Sequence, residues 1–451
     1  MITISADARP EKRFFLEMFI RDLTLEDCIL DLIDNSIDSL IRSRDIDVSE
    51  ALLGDTQKTL TSSNTGGHIE PGSIKIDYSA KHFQIVDTCG GISIEDAKSE
   101  VFHFGHSPDV SPSQLGVYGI GLKRAIFKIG NQITIESKTE KGGFRMNINV
   151  PSWADDRFNW TLPLEVIDGT AGLSSAGTSI IISDFRREVS ERFRAGSFEK
   201  ILHDMIAETY SLFLNRYVII MLNGHKVDPV RIPLGSSEHA NVAKEVFQHD
   251  DVSVTLYASL APRDADGRWR MEDAGWYAAC NGRFVVTRDK TDLTGWGSPY
   301  GPIFVPKYRG FVGIAFFYSK NPFALPWTTT KRGLNRDSLV FQVARGRMAN
   351  VARPILRFLD NMYAAEEMER APQRRIAEGI QAVDVRRLAD NPAERFTSTA
   401  LPPGEITVKV QYDAKNRELD RVRKHLRKSG WPAKKIGRFT FEHYLKTECP
   451  E

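Results

Sequence analysis

An α/β fold is predicted for this chain by three observations. Some stretches carry apolar residues at helical period, while others alternate or run apolar as strands do. The two kinds are mixed through residues 14–222, and strand-like runs return through residues 229–339. Glycine turns, such as the one in Asp87-Thr88-Cys89-Gly90-Gly91-Ile92, end strand-like runs. At 451 residues the chain is too long for one ordinary domain. Three regions are drawn: 1–228, 229–340 and a helical, basic region 341–451.

Composition narrows the class. An apolar fraction of 41% is enough for proper cores, and a net charge of +1 argues neither for nor against nucleic acid. Cys28, Cys89, Cys280 and Cys449 are scattered without a CxxC pair, which fits a reducing cytosol and gives no zinc signature. The first twelve residues lack the apolar run of a signal peptide, and the longest apolar runs are too short to span a bilayer. A cytoplasmic protein that makes no use of a membrane is expected.

Residues 14–23 read as a short helix. Residues 27–40 read as a longer one with two faces. Leu30, Ile33, Ile37, Leu40 and Ile41 form a core stripe; Asp27, Asp31, Asp34, Asn35 and Asp38 share the other side. Carboxylates three and four apart repel one another on a helix. Either this is an acidic solvated face, or it holds a cation, and magnesium suits carboxylate and amide oxygens. Residues 45–71 are polar and suggest a surface insertion. Residues 73–78 and 82–86 read as paired strands ending at Asp87, and residues 94–101 as a helix. A polar loop, 104–113, leads into Gly116, Gly119 and Gly121 and a helix running to Lys128. Strands are expected at 133–137, 144–150, 177–184 and 217–222, with a helix over 197–213. Further strands are expected at 252–260, 275–280, 283–286 and 311–317, a helix over 340–370, a strand at 406–412 and a basic helix over 416–428.

The three-glycine segment lets backbone approach a ligand closely and presents helix N–H groups to an anion. A plain turn fits the same residues, and neither a Walker A loop nor a dinucleotide fingerprint is present. A carboxylate at Asp87 can accept from the exocyclic amine of adenine, or simply serve its turn. Thr178 can set a hydroxyl beside it, or be an ordinary strand residue.

Taken in order, acid-x-x-x-Asn on a helix, strand-Asp-x-x-x-Gly, GxxGxG and strand Gly-Thr resemble the GHKL ATPase superfamily across residues 14–222. Leu32-Ile33-Asp34-Asn35-Ser36 and Tyr118-Gly119-Ile120-Gly121-Leu122-Lys123 are similar to segments of its MORC and MutL-like branch. The resemblance implies a Bergerat-type α/β sandwich that binds ATP and Mg2+, followed by a transducer-like α/β domain. It implies Asn35 as the magnesium ligand, with Asp34 and Asp38 in the same site. Asp87 then reads adenine, with Gly91 and Ile92 closing its turn and Thr178 supporting it. Gly116, Tyr118, Gly119, Ile120, Gly121 and Leu122 form the lid hinge and phosphate cradle, and Lys123 touches a phosphate.

Two departures stand out. The residue four before Asn35 is Asp31, where the family usually has the water-activating Glu; its reach is shorter by roughly 1.5 Å, so slow hydrolysis is expected. Cys89 stands where a glycine is usual, and Gly90 is expected to take the tight turn. Farther on, Thr329-Thr330-Lys331-Arg332 resembles the lysine loop of gyrase and MutL transducers, which makes Lys331 the candidate for the γ-phosphate and Arg332 the next; a surface basic pair is the plainer alternative. Eleven Lys and Arg between Lys415 and Lys446, interleaved with Trp431, Phe439, Phe441 and Tyr444, face only Glu418, Asp420 and Glu442. Such a cluster suits a phosphate backbone, a solvated helix face or an acidic protein partner alike.

The reading is a Mg-dependent GHKL-type ATPase whose lid closes on ATP and whose closure favours a homodimer clamp, with DNA as a candidate client. Its alternatives are a chaperone-type ATPase acting on a protein client, and a non-hydrolysing ATP sensor working with an effector partner in a larger, bacterial defence-like system.

Overall fold

The computed structural model describes residues 11–48, 70–104, 115–116, 119–156, 159–167, 173, 175–297, 299–364, 371–389, 391–399 and 413–449. Two compact units divide at Pro402.

Within the first unit, an eight-stranded sheet carries the strands expected before residue 228. It comprises β1 Gly72–Tyr78, β2 Phe83–Asp87, β3 Gly130–Thr139, β4 Gly142–Asn149, β5 Glu165–Ile167, β6 Gly177–Phe185, β7 Val218–Leu222 and β8 His225–Lys226. The order is β5-β4-β3-β6-β2-β1-β7-β8, with β1 and β7 parallel and every other pair antiparallel. Ile85 faces Ile180 across β2 and β6, and Ile180 faces Ile135 on β3, so one layer of branched side chains runs through the sheet. Helices α1 Lys12–Ile20, α2 Leu25–Ser43, α3 Gly121–Ile129, α4 Val150–Asp155, α5 Arg187–Arg194 and α6 Phe198–Thr209 accompany it. Thr24 caps α2 by accepting from the Asp27 amide at 3.1 Å, and the Leu30/Ile33/Ile37/Leu40 stripe is fully buried.

A second sheet follows, of order β10-β11-β14-β12-β13, from β10 Ala243–His249, β11 Val252–Leu260, β12 Gly275–Cys280, β13 Arg283–Asp289 and β14 Phe311–Tyr318. Helix α7 Leu339–Ala364 packs on β11 and β14. The region drawn from residue 341 is divided by the fold. After α8 Ala371–Glu378 the chain returns to this sheet side, where β15 Gln381–Ala382 pairs with β9 Gly235–Ser236 and Glu394 bridges Lys244. A single apolar cluster runs through both sheets.

The second unit, described over residues 413–449, is a helix pair, α9 Asn416–Leu426 and α10 Ala433–Glu448. Arg427, in the left-handed region at φ 55°, ends α9, and Trp431 packs on Phe439 at 5.7 Å.

Among the elements not foreseen are α4, β5, β10, α5 and α10. The edge strand β10 leaves Val246 exposed, α5 buries only Val189 and Phe193, and α10 buries only Ile436; short apolar stripes give weak periodicity. The expected strand at 406–412, most of the 45–71 insertion and the polar loop from residue 105 to 113 lie outside the described residues.

Candidate functional site

A cavity of about 130 Å³ lies where α2, the end of β2, the glycine segment and the loop after β14 converge. Asp31, Asn35 and Asp38 reach it from α2, and Asp87 from β2. Ile92, Gly116, Gly119, Ile120, Gly121, Leu122 and Thr178 also line it, and Lys331 enters from the other sheet's loop. Tyr118 lies outside the described residues.

Three serines of α2 on one helical row fasten the β2 turn. Ser36 Oγ donates to Asp87 Oδ2 at 2.8 Å, Ser39 Oγ to the Gly91 carbonyl at 3.0 Å and Ser43 Oγ to the Cys89 carbonyl at 3.2 Å. Their spacing of three and four residues, beside the acidic row, was the available signal. Asp87 Oδ1 accepts from the amides of Cys89 at 2.9 Å and Thr178 at 3.3 Å. The Thr178 hydroxyl lies 2.9 Å from that of Ser137, which itself accepts from the Ile92 amide. Burial raises the Asp87 pKa, and the three donors only partly offset it. Gly90 and Gly91, at φ 109° and 75°, make the turn that Cys89 does not, and Gly91 sits behind the cavity wall, where a Cβ would overlap the Lys138 carbonyl. At Gly121 a Cβ would lie 3.1 Å from the Asp31 carboxyl carbon, so the bare backbone leaves room at the mouth of α3.

The acidic face of α2 is matched by the protein's own donors. Asp34 is wholly buried and does not line the cavity, contrary to expectation: Arg283 Nε donates to its Oδ1 at 2.9 Å, the Tyr210 hydroxyl lies 2.7 Å from the same oxygen, and Lys331 Nζ donates to Oδ2 at 2.6 Å. Burial pushes the Asp34 pKa up, but Arg283 and Lys331 overturn that and leave it lowered. Asp31 sits 3.4 Å from Lys331 Nζ, and burial raises its pKa against the pull of that ammonium. Arg332 Nη1 lies 3.2 Å from Asp27 Oδ1, close enough for an ion pair but without hydrogen-bond alignment. Lys331 occupies the left-handed region at φ 53°, and its carbonyl accepts from Arg283 Nη1 at 2.6 Å. That conformation costs roughly 1–2 kcal/mol for a residue with a Cβ, and the Arg283 contact helps to hold it.

Lys123 also departs from expectation. Its ammonium is buried and donates to the carbonyls of Val101 at 2.7 Å and His103 at 2.6 Å, away from the lining. Burial lowers its pKa to about 8. It secures the segment before the glycines rather than a ligand.

Asn35 Nδ2 donates to the Asp31 carbonyl at 2.8 Å, which leaves its amide oxygen for a ligand. Asp38 accepts from the amides of Leu115 and Gly116, both at 2.6 Å, anchoring the start of the glycine segment. Residues 23–161 match the family described as histidine kinase-, DNA gyrase B-, and HSP90-like ATPase. That match supports placing the segment in the GHKL superfamily. Among curated proteins none matches the chain. The match supports ATP binding and hydrolysis in general terms, and the cavity is built largely from the matched residues. Among the described residues no helix is long and apolar enough to cross a membrane.

Asp38 gives this site a pH signature. Burial raises its pKa to about 6, against the pull of the Leu115 and Gly116 amides. Between pH 4 and 6 the folded chain holds a proton that the unfolded chain has released, so stability falls as pH rises, by about 3 kcal/mol at most. The ionised form, present above that window, is the better acceptor for both amides. Wild type minus Asp38→Asn is expected to show this loss in chemical unfolding from pH 4 to 7; parallel curves would refute it.

Proposed function

We propose that the chain is a magnesium-dependent ATPase whose nucleotide lies in this cavity, with adenine against Asp87 and the phosphates against Gly116, Gly119 and Gly121. The observation that carries the reading is Lys331: an ammonium from the second sheet shares one cavity with Asp31 and Asn35 of α2. Burial alone would strip its proton, but Asp34 and Asp31 outweigh burial and raise its pKa, so it is a fixed positive charge.

The residues fit the metal as well. Among the described residues no group of three or more His, Cys, Asp and Glu is arranged to hold an ion. One ligand from Asn35, completed by nucleotide phosphates and water, suits magnesium, which keeps several waters and takes few protein ligands. Bound there, the ion would neutralise phosphate charge. Asp31 takes the proton of the water that attacks the γ-phosphorus as the β–γ bridging oxygen leaves. Asp31→Asn is expected to keep ATP binding and cut turnover by ~10²-fold or more, and Asp31→Glu to raise it. Wild-type turnover in Asp31→Asn would remove Asp31 as the base, while absent turnover in wild type would make the protein an ATP sensor.

Calorimetry tests the binding mode. Asp87→Asn presents a donor to the adenine amine and is expected to lose the preference for ATP over GTP; an unchanged preference would end the assignment. ATP is expected to order the lid and favour a homodimer, which the exposed Phe14 and Met18, one turn apart on α1, can support. DNA is the proposed client of residues 413–449, where Arg423 and Arg438 pair with Asp420 and Glu442 while the other cations form no ion pair with a described residue. Duplex affinity should then fall linearly on a log–log plot against salt and vanish on deletion of residues 413–451. Salt-insensitive binding would point to a protein client.

A further inference from the structure

A second cavity, of about 170 Å³ against about 130 Å³ for the first, lies between β12, the segment 290–308 and α7, and shares no lining residue with the first. Trp276, Trp296 and Tyr308 wall it and are almost wholly buried, while Tyr300 stands exposed at its rim. Trp296 is held edge-on by Phe304 at 4.9 Å and Phe311 at 5.4 Å. Its indole N–H is buried and finds no acceptor among the described residues. The indole nitrogen only donates, so no described residue satisfies this polar group.

The opposite wall carries charge. Arg353 and Arg357 stand one turn apart on α7 and are exposed, and their side chains form no ion pair or hydrogen bond with a described residue. Asp360, next on the same row, does not neutralise them: it accepts from Lys307 at 2.6 Å and Tyr308 at 3.0 Å. Arg345 adds a further cation over the Tyr300 ring at 4.9 Å. The loop is preformed. Asp289 accepts from the Thr291 amide at 3.1 Å and the Thr294 hydroxyl at 2.6 Å, and the Gly297 amide donates to the Pro302 carbonyl at 2.9 Å.

We propose that this cavity is a second ligand site, for a nucleotide monophosphate whose base enters among the tryptophans and whose phosphate meets Arg353 and Arg357. Aromatic walls take any flat base, and two guanidinium groups suit a phosphate. An aliphatic anion leaves the rings unused, and a neutral aromatic leaves the arginines unpaired. The nucleotide is either free or one residue of a single strand. This inference is independent of the ATP site.

The full chain labelled with 5-fluorotryptophan tests it, with the Trp296 resonance assigned by its loss in Trp296→Phe. AMP, GMP, CMP, UMP and an oligothymidylate are titrated separately. A saturable shift of the Trp296 resonance is expected, with its Kd raised tenfold or more in Arg353→Ala/Arg357→Ala, whose exposed positions spare the fold. A response to mononucleotides assigns a free ligand; a response to the strand alone assigns single-stranded nucleic acid. The proposal is overturned if no probe moves the resonance at millimolar concentration, or if the double variant responds as wild type does.

Discussion

Lys331→Ala is expected to cut ATP turnover by ~10²-fold or more, because a fixed charge aimed at the developing γ-phosphate charge is lost. ADP lacks that phosphate, so its affinity should stay close to wild type while the preference for ATP shrinks. The variant should also compact less with a non-hydrolysable ATP analogue in small-angle scattering, since the lysine ties the second sheet's loop to the nucleotide. The fold should survive, because Asp34 keeps Arg283 and Tyr210 as partners. Lys331→Arg should rescue only in part, a planar fork being no replacement for a point charge at equal reach. Should the alanine variant hydrolyse and compact normally, the charge must come from elsewhere, and Arg332, 3.2 Å from Asp27, is next to test.

Arg283→Met carries the largest expected effect on stability. The guanidinium is buried and holds both Asp34 on α2 and the carbonyl of Lys331, at 2.9 and 2.6 Å. Burial opposes its charge, but Asp34 and its neighbours outweigh that and raise its pKa. Removing one partner of a buried pair costs about 3–5 kcal/mol, here lowering Tm by roughly 5 °C. Combining it with Asp34→Leu should not recover the loss, because the buried Lys331 ammonium would then lose its 2.6 Å partner. A single-variant cost below about 1 kcal/mol would show that Lys331 and Tyr210 suffice for Asp34.

Local pattern made much of this legible. The faces of α2 followed from helical period, and the glycine turn and β2 from alternation and punctuation. Lys331 was reached through the resemblance of its Thr-Thr-Lys-Arg segment. What pattern could not supply was pairing across distance. Arg283 and Tyr210 meet Asp34 from 249 and 176 positions away, and nothing in their own neighbourhoods marks them. The acidic row of α2 was read as solvated or as wanting a cation; the cations turn out to be Lys331, Arg283 and Arg332 of the chain itself. Lys123 was misplaced for a similar reason. It follows the glycines in sequence, yet as the third residue of α3 it points inward to the carbonyls of residues 101 and 103.

The Asp34–Arg283 pair also limits how this chain can be cut or recombined. A fragment ending near residue 228 would keep Asp34 and Tyr210 but lose both cations, exposing a carboxylate shaped for partners it no longer has. A chimera that took its second sheet from a relative would fold well only if that relative supplied a matching arginine and lysine. The two sheets must therefore be inherited, swapped or redesigned together, and studies of the nucleotide site are best made on a chain that includes both.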